Sequence, residues 1–303
     1  MRIGIFGGEV AGHGGIDEVV ASARRAADEG FASYWMPQIF GPDALTSLAV
    51  VGREVPRIEL GTAVVPTYPR HPMVLAAQAL TTQAISGGRL VLGVGLSHQL
   101  VIEGMFGHSF EKPVRHMREY LSVLMPLIHE GTVSFPGETL SAIGSLSITD
   151  STPFPVVIAA LGPKMLALAG TAADGTITWM TGPTTLESHT VPAITKAAAQ
   201  AGRPPPRVCA GLPVCVTDDA DGARERAARV FAVYDSLPSY KAMLDREGAT
   251  GPADVAIVGD ETTVTAAVRR LADVGVTDFA AVEYGSVSNG DRERTRDLLR
   301  SLL

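Results

Sequence analysis

The sequence predicts an α/β protein built as a (β/α)8 TIM barrel, and three observations carry that prediction. Short apolar runs alternate with helical patterns along all 303 residues, eight such units can be counted, and glycines and polar residues gather just past the apolar runs. Barrels of this kind reach this length as one domain, and no Pro- or Ser-rich linker interrupts the chain, so 1–303 reads as a single domain.

Taken in order, the strands fall at 2–6, 32–36, 58–65, 89–94, 155–160, 175–180, 208–216 and 277–282. The fourth shows why they read as barrel strands: Leu90, Val91, Leu92 and Val94 leave no in-and-out alternation, as expected of a strand covered on both faces. Between the strands lie helices with glycine at their ends, at Gly30, Gly87, Gly131 and Gly170, a common C-terminal stop. The helix over 113–130 opens on Pro113, closes at Gly131, and sets Val114, Met117, Leu121, Leu124 and Ile128 at helical spacing. Two stretches break the alternation. Residues 132–150 surround Pro136-Gly137 with apolar positions and predict a small hairpin inserted before strand five; residues 234–260 mix helix and loop before the last unit. Insertions of this sort often cover the active face.

Composition narrows the chemistry. Hydrophobic residues make up 46% and charged residues 19%, with a net charge of −7 and no basic run interleaved with aromatics, which argues against nucleic acid and anionic membranes as partners. No stretch of about 18 apolar residues appears, and the start, MRIGIFGGEV, lacks the form of a signal peptide, so a cytoplasmic protein is expected. Cys209 and Cys215 lie on one predicted strand, about 20 Å apart at a strand's rise per residue, too far to bridge. Both are expected to be core thiols.

If eight units close into a barrel, the residues after each strand share one mouth: Gly7, Gly8 and His13; Pro37-Gln38; Pro66-Thr67-Tyr68; Ser97-His98; Leu161-Gly162-Pro163; Thr181-Gly182. That mouth lacks a reagent of its own. The seven histidines show no metal-ligand spacing, GVGLSH is not the GxSxG of a serine hydrolase, no carboxylate pair marks the strand ends, and Lys164 falls inside a first helical turn. A borrowed reactive group is the consequence, which points to a redox cofactor and no metal. FGGEVAGHGG fits neither phosphate-loop pattern, whereas ALGPKML (160–166) ends a strand and starts a helix on proline, leaving amides for an anion or an ordinary βα turn.

The run GTAVVPTYPRHP (61–72), followed by GGRLVLGVGLS and HMREYL, resembles the luciferase-like monooxygenase superfamily, closest to its branch dependent on coenzyme F420, an 8-hydroxy-5-deazaflavin. AALGPKMLALAGTAADGTITW (159–179) and VGDETTVTAAVRRLADVGVTDF (258–279) extend the likeness over almost the whole chain. The resemblance implies a bacterial luciferase-like barrel and a coenzyme F420-dependent oxidoreductase passing hydride to or from a small apolar molecule. FMN with monooxygenation, or a flavin-binding protein without turnover, are the alternatives. It also implies a non-proline cis peptide at Ala63-Val64. Cofactor contacts are expected from Gln38, Ala63, Val64, Gly95, Ser97, His98, Ala160, Leu161, Gly162, Pro163 and Gly175. His98, the candidate catalytic residue, stands where a related sugar-phosphate dehydrogenase has an acidic proton donor, and an imidazole there is a proton relay or a plain cofactor contact.

Departures from the pattern matter as well. No histidine stands in the loop at Gln38, and MTGP (180–183) replaces the lysine found past strand six in sugar-phosphate relatives. His13, Tyr68, Phe106, Trp179 and Met180 are therefore assigned to an apolar substrate pocket, 100–112 to a candidate lid, and His116 and His129 to a helix face away from the mouth. The spaced Gly93 and Gly95 are read as room for a planar ring. Relatives often dimerise through the second and third helices, so a homodimer is expected from the small residues at 43–52 and 75–80.

Overall fold

The computed structural model describes residues 1–8, 14–286 and 288–303. Eight parallel strands close on themselves: β1 (Arg2–Phe6), β2 (Ser33–Met36), β3 (Glu59–Thr62), then, past the two-residue β4 (Val65–Pro66), β5 (Leu90–Gly95); after the hairpin β6 (Thr132–Pro136) and β7 (Ser141–Ser145) come β8 (Val156–Ala159), β9 (Gly175–Trp179) and β10 (Arg207–Val216); after β11 (Ile257–Gly259) the last is β12 (Asp278–Glu283). The ring runs β1-β2-β3-β5-β8-β9-β10-β12 and returns to β1; β4 pairs with the end of β5, and β11 with the end of β10. The short β3 answers to the predicted strand 58–65, which is interrupted where the Ala63–Val64 peptide is cis, as the resemblance implies.

Helices sheathe the barrel: α1 (Ile16–Asp28), α2 (Ala44–Glu54), α3 (Pro72–Ile85), α4 (Gln99–Gly104), α5 (Pro113–His129), α6 (Pro163–Ala172), α7 (Pro183–Thr185), α8 (Val191–Gln200), α9 (Ala220–Val230), α10 (Pro238–Glu247), α11 (Glu261–Asp273) and α12 (Asp291–Ser301). Local chemistry starts and stops them. Asp43, Asp219 and Asp260 accept from the amides of Thr46, Gly222 and Thr263 at the starts of α2, α9 and α11. Gly30, Gly87 and Gly131 follow α1, α3 and α5 at positive φ, which glycine adopts without steric cost. Gly170 does otherwise. It lies inside α6, which runs on to Ala172, and a Cβ there would stand 2.6 Å from the Ile194 carbonyl and 2.8 Å from Ala197 Cβ, so the glycine lets α8 approach.

Two apolar compartments result. The larger lies between strands and helices; the smaller, inside the barrel, holds Phe6, Trp35, Val91, Val157, Ile177, Cys209, Ala280 and Val282. Cys209 belongs to the inner compartment and Cys215 to the outer one, both buried and free, and burial raises both thiols, Cys215 to about 11. The barrel's lower end is closed by charge. Arg207 donates to Asp278 (2.6 Å) and Glu59 (2.9 Å), and Arg2 joins Glu59 at 3.0 Å. Among the described residues no helix is long and apolar enough to cross a membrane.

Candidate active site

Two cavities open at the C-terminal ends of the strands. The larger, about 890 Å³, is walled by strand-end residues Ala63, Val64, Gly95, Ser97, His98, Ala159, Leu161, Gly162 and Trp179, and by residues 236–240 of the second insertion. The smaller, about 460 Å³, is walled by Gln38, Ile39, Phe40, Arg70, Val101, Phe106, Val233 and Tyr234 among others. Eight residues belong to both: Phe6, Ala63, Val64, Ser97, His98, Trp179, Leu237 and Tyr240. They form a seam between the chambers.

The walls are mostly apolar, and their charges are occupied. Glu103 accepts from Gln99 Nε2 (3.0 Å) and the Phe110 amide (3.3 Å), which folds the segment after α4. The guanidinium of Arg70 is bound to Asp43 and to Gln78 Oε1 (3.0 Å). The seam differs, because its polar groups are unspent. Among the described residues the side chains of Ser97, His98 and Tyr240 make no hydrogen bond, whereas the buried Trp179 indole nitrogen faces the Tyr234 hydroxyl. Ser97, His98 and Tyr240 thus offer half-buried polar side chains to a ligand on walls that are otherwise mostly apolar. Burial lowers His98, whose ring lies 5.6 Å from that of Tyr240; burial raises Tyr240. At neutral pH the seam therefore presents an uncharged imidazole and a protonated phenol.

One helix start is open to the larger cavity. The ten-residue α6 begins at Gly162 with no side-chain cap, and a Cβ at Gly162 would meet nothing within 4 Å. His189 Nε2 donates to the Leu161 carbonyl (2.8 Å) and fixes that turn. By contrast, the start of α7 is filled by the chain itself: Glu247, at the end of α10, accepts from the amides of Thr184 (3.0 Å) and Thr185 (2.7 Å). The insertion is thereby tied across the mouth.

The structure sorts the residues expected from sequence. Ala63, Val64, Gly95, Ser97, His98, Leu161, Gly162, Phe106 and Trp179 lie on cavity walls. Gln38 lies on the smaller wall, oriented by its carbonyl oxygen accepting from the Ala44 amide (2.8 Å), and its NH2 group makes no hydrogen bond among the described residues. Several assignments need correction. The wall passes from Ala159 to Leu161 while Ala160 is buried in the outer core, and it takes Gly162 and Met165 but passes over Pro163, the first residue of α6. Gly175 begins β9 in register with Arg207, at the closed lower end, where a Cβ would strike the Arg207 carbonyl at 2.1 Å. Met180, at φ +52° just past β9, is fully buried in the outer core instead of facing the substrate.

Tyr68 lies behind the wall, its ring stacked on His116 (3.9 Å, 3°) and on Phe110 (5.3 Å), which is itself a wall residue. His116 is accordingly not on a remote surface: it is 8% exposed, with Nε2 3.0 Å from Thr67 Oγ1, whereas His129 is exposed. His13 lies outside the described residues. Gly93 and Gly95 also change meaning. A Cβ at Gly93 would lie 2.0 Å from the Thr62 carbonyl, and one at Gly95 2.5 Å from Val64 Cγ2, so both glycines first make room for the protein's own β3–β4 bend. Sequence reasoning missed Tyr240, Tyr234, Leu237 and Ile177; the first three sit in an insertion flagged only as a cover.

Residues 1–278 match the family model of the luciferase-like monooxygenases. A Mycobacterium tuberculosis protein provisionally named a coenzyme F420-dependent oxidoreductase is 31% identical, over 87% of this chain and 78% of its own. The 5,10-methylenetetrahydromethanopterin reductase of Methanolobus tindarius is 26% identical over 97% of this chain and 98% of its own. Among solved structures, the coenzyme F420-dependent tetrahydromethanopterin reductase of Methanopyrus kandleri superposes with a TM-score of 0.82 at 23% identity, covering 99% of this chain and 97% of that one. A family match over most of the chain and a relative above 30% identity agree with the closed barrel and its two-chambered mouth: the chain belongs to the luciferase-like monooxygenase family.

Proposed function

We propose that the protein is a coenzyme F420-dependent oxidoreductase that moves hydride between the deazaflavin and a small, apolar organic molecule. The observation that carries this is the seam: two apolar chambers share the uncommitted side chains of Ser97, His98 and Tyr240, while the charged wall residues described are bound elsewhere in the protein. The larger chamber suits the cofactor and the smaller one the substrate. Ala63, Val64, Gly95, Ser97, Leu161 and Gly162 would hold the cofactor, and the open amide end of α6 favours negative charge on it. Bound there, the deazaflavin supplies two-electron hydride chemistry. The chain's own part is to exclude water with Phe6, Trp179, Leu237 and Tyr240, and to place neutral donors at the seam. The Mycobacterium tuberculosis relative named for coenzyme F420 supports the choice of cofactor.

Side-by-side fluorescence titration with F420 and FMN tests the reading. F420 is expected to bind at least about 100-fold more tightly, a difference of about 2.7 kcal/mol. Preference for FMN would move the protein to the oxygen-using branch, and binding without turnover on any ketone, enone or imine would favour a carrier.

A further inference from the structure

Four residues with polar side-chain atoms border the seam, but they come from two different parts of the molecule. Ser97, His98 and Trp179 belong to the barrel, at or just past the ends of β5 and β9. Tyr240 alone arrives from the insertion, in the first turn of α10, and closes both chambers from the side of the cover. Its ring packs edge-on against Tyr234 at 5.0 Å and tilted against His98 at 5.6 Å, so the phenol is held by rings while its hydroxyl makes no hydrogen bond among the described residues. The cover is fixed in turn. Glu247 ties the far end of α10 to the amides of Thr184 and Thr185, and Thr185 Oγ1 donates to the Met243 carbonyl at 3.2 Å. A helix anchored at its far end thus carries Tyr240, whose hydroxyl has no partner among the described residues, to the wall that both chambers share.

Resting on the function proposed above, we infer that Tyr240 is a catalytic residue, its Oη donating the hydrogen bond that polarises a carbonyl substrate and then the proton that completes its reduction. The balance is simple. The reduced deazaflavin, once bound, would supply hydride to the carbonyl carbon; as the C=O electron pair moves to oxygen, that oxygen takes the Tyr240 proton, and solvent relays to the phenolate the proton that the oxidised cofactor gives up. The oxidised cofactor and an alcohol remain. Burial keeps the phenol protonated between turnovers, so the donor is present when substrate arrives. The substrate class this site takes is a neutral ketone or aldehyde with an apolar body, because the one charged residue on the smaller chamber's wall among the described residues, Arg70, is already held by Asp43 and Gln78.

The test compares the wild-type protein with Tyr240→Phe, which keeps the ring contacts with Tyr234 and His98 and removes the hydroxyl. F420 affinity is measured first and is expected to be the same in both. Acetophenone labelled with ¹³C at the carbonyl is then bound to each protein carrying oxidised F420, and its C=O stretch is read by infrared difference spectroscopy. The wild type is expected to shift the band to lower frequency than in hexane, and Tyr240→Phe to abolish most of that shift. With reduced F420, kcat for acetophenone should fall by about 100-fold or more in the variant. An identical band and kcat in the two proteins would overturn the assignment, as would failure of acetophenone to bind the loaded wild type. A wild type that does not bind F420 at all would fail earlier, at the titration, and would bring down the functional reading beneath it.

Discussion

Acidification should destabilise this protein through His116, and the size of the effect follows from its surroundings. The imidazole is stacked flat on Tyr68, faces Tyr120 and is 8% exposed; burial lowers its pKa from 6.5 to about 4, against the raising influence of Glu119. A base whose folded pKa lies below its unfolded value binds more protons when unfolded, so the stability it permits is complete above about pH 6.5 and is lost as pH falls towards 4. Between pH 7.5 and pH 5 that linkage amounts to about 2 kcal/mol, equivalent to about 3 °C in Tm for a chain of this length. Urea unfolding of the wild type and His116→Phe at the two pH values isolates the contribution, because carboxylates common to both cancel. The variant is expected to lose about 2 kcal/mol less on acidification. Equal losses in the two proteins would show that the ring is not held neutral, and the stacked Tyr68–His116 wall behind Phe110 would have to be redrawn.

Other consequences are more local. Gly93→Ala should cost about 3 kcal/mol, since its Cβ would meet a backbone carbonyl that cannot yield, whereas Gly95→Ala presses on a Val64 methyl and should cost about 1–2 kcal/mol with at least a tenfold loss of F420 affinity; wild-type stability in the first would refute the packing role. Glu247→Ala removes charged hydrogen bonds worth about 1.5–3 kcal/mol to the start of α7, so hydrogen exchange at Thr184 and Thr185 should accelerate at least tenfold, and unchanged protection would show that the cover is held by other contacts. A homodimer through α2 and α3, where Val74 is 61% exposed, should scatter light at about twice 31.7 kDa at micromolar concentration; a mass of 31.7 kDa would remove it.

The barrel was legible because its strands are covered on both faces, which leaves continuous apolar runs such as 90–94 that a half-exposed strand would not show. The hairpin was legible from Pro136-Gly137 between apolar positions. Glycine as a stop worked where the residue follows the helix at positive φ and failed at Gly170, because a glycine needed for close helix packing looks the same in sequence as one needed for a left-handed turn. The strand-end rule located the mouth but not the facing of each residue. Trp179 faces the cavity and its neighbour Met180 the outer core, because side chains alternate across a strand and position after the strand does not say which face comes last.

The second insertion was the least legible part of the site, for a reason that bears on how the site works. Barrel residues announce themselves by position after a strand, but Leu237 and Tyr240 follow no strand; their place is set by Phe231 and Tyr234 packing on Trp179 and by Glu247 reaching α7. None of these contacts is local in sequence, so no spacing encodes them. The two halves of the seam are then held by independent anchors, the barrel ends by the closed sheet and Tyr240 by a carboxylate on a helix start. Loosening that carboxylate should weaken the cover's contribution while leaving the barrel wall in place. Glu247→Ala should therefore affect turnover of a carbonyl more than F420 affinity, and an equal loss in both would mean that the cover and the barrel wall act as one body.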